Sequence, residues 1–410
     1  MNTNTSSTLS SYTQPIEDHQ SNDPLTRSHH PRLREPVETR YALELEALKR
    51  IDQDPRPPQW RLSPQAVLTY MMGGVLEDGF EVTPKFIGSR GVIEVAISTL
   101  ITDRALLLIG IPGTGKSWVA EHLAAAISGD STLIVQGTAG CGEESIRYGW
   151  NYAELLSRGP RHEALVASPI MRAMQLGKIA RVEELTRLPQ AVQDAMITIL
   201  SEKMLPIPEL GESLFAQRGF GLIATANHQD QGVNALSSAL RRRFNIVTLP
   251  TPATLEDELT IVRLNTTNKM IKSTSSVSDV SDLANKTTNN ATSDIESHTI
   301  DIAHEVVGIF RDLRGDGDTG PLREVKHSGQ NLSPADAIAV VDQVSALSVY
   351  FRGLKHAERA LAEALYDAVV KESKRDATSW TRYVKHHLPT RSSSPTLHQA
   401  CLAVIEERAA

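Results

Sequence analysis

Residues 110–117 read Gly110-Ile111-Pro112-Gly113-Thr114-Gly115-Lys116-Ser117, the pattern G-x-x-x-x-G-K-[ST]. The apolar run Ala105-Leu106-Leu107-Leu108-Ile109 leads into it, and a helix-forming stretch over 118–127 leads out. This context predicts a buried strand, a tight loop and a helix N-terminus. Glycine lets successive backbone N–H groups curl around phosphate oxygens, and the positive end of the following helix adds to the field. Lys116 is placed to reach β- and γ-phosphates, and the Ser117 hydroxyl to ligate Mg²⁺. The phosphate cradle expected here is Gly110, Pro112, Gly113, Thr114, Gly115, Lys116 and Ser117, with ATP and Mg²⁺ as the cofactors. An ordinary Gly-rich turn is the bland alternative, and the strand-loop-helix setting counts against it.

Outward from this loop, short apolar runs alternate with helical periodicity between about residues 84 and 250. The strand candidates are 105–110, 132–136, 178–183, 221–227 and 246–249. Helices lie between them, as at 189–200, where Val192, Ala195, Met196 and Ile199 share a face. Alternation of this kind predicts an α/β fold with a parallel sheet flanked by helices.

A phosphate cradle alone does not hydrolyse a nucleotide, because Mg²⁺ and water need an acidic site at the end of a second strand. Lys178-Ile179-Ala180-Arg181-Val182-Glu183-Glu184 supplies one. Glu183 is assigned to the metal and Glu184 to the attacking water, against the alternative of two solvated strand-end residues. Glu183 is one methylene longer than the aspartate usual at such a position, and Mg²⁺ is strict about geometry. Arg181 falls on the same strand face as Glu183, where a buried sheet calls for an apolar residue. Either it pairs with a carboxylate or the strand is less buried than its pattern implies. The next strand ends in Asn227, whose amide can both donate to and accept from a water or phosphate. Then comes Arg241-Arg242-Arg243, which either complements a helix dipole or reaches the γ-phosphate of a neighbouring subunit.

The chain has 410 residues, room for two or three domains, and a net charge of −7 with 5% aromatic residues. Neither value fits a broad nucleic-acid footprint. The two cysteines, Cys141 and Cys401, have no metal-ligand spacing, which fits a reduced, cytoplasmic setting. No apolar stretch has the length of a membrane span, so no membrane partner is expected. Residues 1–40 are polar and aperiodic and read as a disordered tail. A helical segment is expected over 41–84, with apolar positions Leu43, Leu45, Leu48 and Ile51, and with a second helix capped by Ser63-Pro64. Beyond residue 250 the pattern is helical, at 300–313 and 333–371. It is interrupted over 265–298, where more than half the residues are Ser, Thr or Asn, read as a mobile low-complexity insertion. A last helix is expected over 391–410, with Leu397, Cys401, Val404 and Ile405 on its buried face.

Taken together, GIPGTGKS (110–117), RVEELTRLP (181–189), QDAMITILSEK (193–203), GFGLIATAN (219–227) and LSSALRRRF (236–244) resemble the AAA+ ATPases, and among them the MoxR-type family. The resemblance spans about residues 41–385. It implies a P-loop core over 85–250 and a C-terminal α-helical lid over 251–390. Ile87 and Gly88, in Lys85-Phe86-Ile87-Gly88, stand at the segment beside the adenine. Glu183-Glu184 stand at the family's Asp-Glu pair, Asn227 at its polar sensor, and Arg243, with Arg242 adjacent, at its arginine finger. It also implies insertions near 137–170 and 203–219, and ATP bound between the subunits of a homo-oligomeric ring, usually a hexamer. MoxR-type proteins imply chaperone-like remodelling, often with a von Willebrand factor A domain partner. Where many relatives carry a lid arginine after Ser-Pro, this chain has Ala335. Two rivals to ATP-driven remodelling are a nucleotide-gated scaffold with little hydrolysis and a nucleic-acid motor.

Overall fold

The computed structural model describes residues 33–227, 236–275, 287–315, 332–352, 357–371, 374–391 and 395–409. Five parallel strands form the central sheet: β1 (Ala105–Gly110), β2 (Ile134–Gln136), β3 (Ile179–Glu183), β4 (Gly221–Asn227) and β5 (Phe244–Thr248). Their order is β5-β1-β4-β3-β2, so the P-loop strand lies inside the sheet, between the edge strand β5 and the central strand ending in Asn227. Each strand lies where the apolar runs predict it, shifted by no more than two residues at an end.

The two faces of the sheet are sorted by the period-2 alternation of β1. Leu106 and Leu108 enter one core with Ile223, the helix Lys116–Ser128 and the N-terminal helices. Ala105 and Leu107 enter the other with Val182, Leu222, Ala224, Met196 and Ile199. Both faces of the sheet are therefore covered, as parallel strands require. The N-terminal helices Ala42–Ile51 and Pro64–Met72 pack within the first core through Leu45, Leu48, Val67 and Tyr70. Ser63 caps the second of them, accepting from the Ala66 N–H. Leu43, counted by periodicity as a core position, is exposed, because the buried stripe runs through Leu45, Ala47 and Leu48 instead.

Two antiparallel hairpins leave the sheet. One pairs Tyr148–Trp150 with Leu165–Ala167 and carries the short helix Tyr152–Arg158. The other pairs Met204–Ile207 with Glu212–Phe215. They fall in the two stretches where insertions were expected.

The C-terminal helices form a third core, with Val262, Phe310, Val341, Leu365, Trp380, Leu397 and Cys401 buried. Helix Leu255–Ser275 runs past residue 264, and helix Thr287–Arg314 begins well before residue 300. The backbone is thus helical over much of the stretch read as a low-complexity insertion, while 276–286 lies outside the described residues. Ser and Thr are weak helix formers, but a hydroxyl inside a helix can be satisfied by a carbonyl one turn back, as where the buried Thr266 hydroxyl donates to Val262 O at 2.9 Å. The helix expected over 333–371 is two, Pro334–Leu347 and Ala357–Val369, with a π-helical turn at Ser348–Arg352 after the first. Residues 1–32 lie outside the described residues, so the tail reading over most of 1–40 does too. Val37–Arg40 nevertheless forms a helical turn with Val37 buried. Among the described residues no helix is long and apolar enough to cross a membrane.

Candidate nucleotide site

The loop after β1 takes its shape from three glycines. Gly113 and Gly115 both have φ of +79°, where a side chain is strained. Gly110 serves packing, since a Cβ there would sit 2.9 Å from Leu249 O and 3.0 Å from Thr114 Oγ1. Lys116 opens the helix and is nearly buried. Its ammonium donates to Gly110 O at 3.2 Å and Ile111 O at 2.8 Å, curling the loop around its own cation.

The acidic pair lies across β4 from this loop, at the sheet's C-terminal edge, the end at which open α/β sheets bind ligands. Glu183 is buried, and its Oε2 accepts from the Ser117 hydroxyl at 2.6 Å and from the Thr225 hydroxyl at 2.6 Å. Its Oε1 accepts from Arg181 at 2.7 Å. Arg181 is only 5% exposed and every residue of β3 is buried. Of the two sequence alternatives, carboxylate pairing is therefore the one observed.

Glu184 behaves differently. It sits in the left-handed region at φ 54°, which turns its side chain out of the strand pattern and into the open cleft. Its N–H donates to Thr225 Oγ1 at 3.1 Å, and its two carboxylate oxygens each accept from Asn227 Nδ2 at 3.1 Å. Arg187 approaches at 3.8 Å. Two adjacent carboxylates are thereby given different surroundings, one buried and held by three hydrogen bonds, the other facing the cavity.

That cavity, about 450 Å³, lies between the P-loop, the segment 83–87 and the C-terminal helices. It is bounded by Pro112, Gly113, Thr114, Gly115, Lys116 and Ser117, with Glu184 and Asn227. Ile87 also faces it, as expected, but Gly88 does not. Gly88 has φ +151°, with the Phe86 ring 3.0 Å from where its Cβ would stand, so it shapes the segment rather than touching the cavity. Gly110 is set back for the packing reason given above.

Arg242 and Arg243 are not part of this cavity. Arg243 donates to Ala239 O at 2.6 Å and also to the Ser201 hydroxyl. It precedes Phe244, whose register partner is Ala105 at the far end of β1 from the loop. Five residues at about 3.3 Å each put it roughly 17 Å from Gly110.

Several site residues carry no sequence signal of their own. Thr225, in the middle of an apolar run, is the hydroxyl that ties Glu183 to Glu184. Tyr41 and Trp118 flank the cavity's apolar end, where Trp118 Nε1 donates to Lys85 O at 2.8 Å. The buried Lys85 ammonium lies 4.4 Å from the Tyr41 ring centre and pairs with Glu44 at 2.5 Å. Burial pushes its pKa below the ordinary lysine value, with Glu44 opposing. Tyr70 and the fully buried His122 share a 2.8 Å hydrogen bond behind this wall.

From the C-terminal side, Ser333, Pro334 and Ala335 reach the P-loop. Ser333 caps the helix Pro334–Leu347 in a reciprocal box with Asp336. Its hydroxyl lies only 2.1 Å from where a Cβ on Gly113 would be, so the two segments touch because residue 113 has no side chain. Hydrogen bonds from Ser333 and the nearby Lys371 outweigh burial and hold the Asp336 carboxyl below the usual range. Ala335 and Ile338 close the cavity where an arginine was expected from relatives.

Residues 105–244 match the family described as AAA domain, dynein-related subfamily. The chain is 36% identical over 361 residues to protein YehL of Escherichia coli, covering 87% of this chain and 93% of that one. It is 27% identical over 161 residues to protein YojN of Bacillus subtilis, covering 38% of this chain and 50% of YojN. A stretch of 139 residues is 27% identical to midasin of Dictyostelium discoideum, 2% of that protein's length. Among solved structures, NtrX of Brucella abortus in complex with ADP aligns over 74% of this chain and 69% of its own. Its TM-score is 0.38 and its identity 13%.

Proposed function

The chain belongs to the family of E. coli YehL and carries an AAA domain of the dynein-related subfamily, and from that premise we propose that it binds and hydrolyses ATP with Mg²⁺. The observation that carries this is the convergence of the Ser117 hydroxyl, the Thr225 hydroxyl and Glu183 Oε2 beneath a P-loop, with Glu184 turned into the cavity beside them. Hard oxygen donors at the floor of a phosphate cradle are the donor set Mg²⁺ takes, so the residues fit the ion. When bound, Mg²⁺ would offset the negative charge of the phosphates.

The chain's own residues divide the remaining work. Backbone N–H groups of 113–117 hold the β- and γ-phosphates, and Lys116 exchanges its loop carbonyls for phosphate oxygens. Ser117 and Glu183 would hold the metal. Glu184 accepts the proton of the attacking water as the water oxygen bonds to the γ-phosphorus and ADP departs. Asn227, bonded to both oxygens of Glu184, fixes the direction in which that carboxylate faces.

We extend the reading to a MoxR-type remodelling ATPase acting as a ring, with Arg243 and the adjacent Arg242 completing a neighbour's site. The roughly 17 Å between Arg243 and its own loop supports a role in trans. A protein client, or a von Willebrand factor A domain partner, follows from the family resemblance alone.

The test is phosphate release with and without Mg²⁺. Wild type should be Mg²⁺-dependent, Lys116→Ala should lose nucleotide binding, and Glu184→Gln should bind ATP while turning over roughly 10²–10⁴-fold more slowly. Wild-type turnover no faster than that of Glu184→Gln would leave only the nucleotide-gated scaffold.

A further inference from the structure

Arg181 is the charged residue of the acidic strand that the proposed chemistry does not use. It stands in a five-residue strand that is buried throughout. Its register partners are Ile134 on one side and Ile223 on the other. An aliphatic residue would fit these neighbours without desolvating a charge. The Arg181 Nε is also buried with no hydrogen-bond partner among the described residues, so the guanidinium is not fully repaid even by its own bonds. As a packing element it is a poor choice.

Its geometry relative to Glu183 explains what it does instead. Positions 181 and 183 share a strand face, so the two side chains run side by side. One guanidinium nitrogen donates to Ser131 O at 2.9 Å. The other donates to Glu183 Oε1 at 2.7 Å and lies 3.4 Å from Ser117 O. The remaining carboxylate oxygen, Oε2, is thereby aimed at the Ser117 and Thr225 hydroxyls. A glutamate has one more rotatable bond than an aspartate, and holding it in a single pose carries an entropy cost. Mg²⁺ in turn tolerates little error in where its ligands sit.

We propose that Arg181 is a positioning residue that clamps Glu183 Oε1 so that Oε2 alone serves the metal, letting a glutamate work where an aspartate is usual. The planar fork is suited to this, because it reaches the carboxylate and the Ser131 carbonyl together, which a lysine ammonium cannot do with the same rigidity. The clamp also touches the Ser117 carbonyl, so metal-side hydroxyl and metal-side carboxylate are referenced to one group. This inference rests on the Mg²⁺–nucleotide reading of the site.

The test is a four-corner cycle of wild type, Arg181→Met, Glu183→Asp and the double variant, with binding rather than turnover as the readout. Binding of a non-hydrolysable ATP analogue is measured by calorimetry in EDTA and across a Mn²⁺ titration, and bound Mn²⁺ is followed by electron paramagnetic resonance. Arg181→Met should raise the Mn²⁺ concentration for half-maximal effect at least tenfold while analogue affinity in EDTA stays within twofold. Glu183→Asp alone should be impaired similarly, its shortened carboxylate still drawn to the arginine. The double variant should return to within about threefold of wild type. If Arg181→Met does not fold, Arg181→Lys takes its place, with the same expected direction. Unchanged Mn²⁺ dependence in the position-181 variant, with only a lowered unfolding temperature, overturns the clamp and leaves the nucleotide reading standing. Wild type that binds no analogue with or without metal overturns both.

Discussion

Gly113 and Gly115 offer a comparison that separates backbone strain from a contact between the P-loop and the C-terminal helices. Both have φ of +79°, so alanine at either carries the same left-handed penalty, about 1–2 kcal/mol. A Cβ at 115 meets nothing nearer than Trp118 Cβ at 4.0 Å, whereas at 113 it would stand 2.1 Å from Ser333 Oγ and 2.3 Å from Ser333 Cβ. Ordinary contact begins at 3.4 Å, so Ser333 must retreat by about 1.3 Å. It cannot do so by rotating, because its hydroxyl donates to Asp336 at 2.5 Å and accepts the Asp336 N–H at 3.3 Å. The helix start itself must move, adding about 1–3 kcal/mol for the overpacking or for the lost cap. Gly115→Ala should therefore cost about 1–2 kcal/mol and Gly113→Ala about 2–5 kcal/mol, read from urea unfolding without nucleotide. Hydrogen exchange over residues 333–338 should accelerate in the second variant only. Equal losses in the two variants, with unchanged exchange at 333–338, would show that Ser333 does not rest on the P-loop in solution.

Acid should destabilise the fold through Asp52, Asp130 and Asp336. In each, burial raises the pKa but hydrogen bonds and a nearby cation outweigh it, so the folded value lies below the usual one. Depressed carboxylates contribute stability that is complete above the unfolded pKa of about 3.9 and is lost as pH falls through the folded values. Thermal unfolding should thus lose temperature steeply below about pH 4, and Asp336→Asn should flatten that slope. Thiol titration of the folded protein should modify Cys141, which is half-buried, and spare Cys401, whose pKa burial pushes up to about 12; rapid modification of both would contradict the packing of the last helix. Arg243→Ala should bind nucleotide normally yet turn over on the order of 10³-fold more slowly. Mixing it with inactive Lys116→Ala should recover activity if the arginine acts in trans, and no recovery would confine it to its own subunit.

How legible each part was follows from how local its cause is. The P-loop strand, the acidic strand and the Asn227 strand each announce themselves by a short, mainly apolar run leading into a glycine loop or a polar residue, and all three lie within two residues of their expected bounds. The cap at Ser63 and the helix start at Ser333 were readable for the same reason, a Ser-Pro step before a helical pattern, while the box with Asp336 came from the structure. Leu43 and Gly88 misled because a periodicity or a motif names a candidate without saying which side of the chain the neighbours occupy. The helical course of the backbone over 265–275 and 287–298 was hidden by composition, since a stretch rich in Ser, Thr and Asn reads as loop.

Glu183 shows why the remainder needed three dimensions. In sequence its partners Ser117, Arg181 and Thr225 lie far apart or carry no motif. The strand order places β4 between β1 and β3, with Asn227 in register with Gly110 and Ala224 in register with Val182. One residue past that second pair stand Thr225 and Glu183, joined by a 2.6 Å hydrogen bond. The threonine that breaks the apolar run of β4 is thus the point where the phosphate loop and the acidic strand are held at a common depth. The Thr225→Val substitution should then disturb both carboxylates together, because Glu183 Oε2 loses a donor and the Glu184 N–H loses its acceptor. A buried N–H without an acceptor costs about 1–3 kcal/mol, so the left-handed turn at Glu184 should relax. The expected result is loss of turnover beyond what metal concentration restores, since the water-side carboxylate moves as well. Full rescue by excess Mn²⁺ would mean that Thr225 serves Glu183 alone.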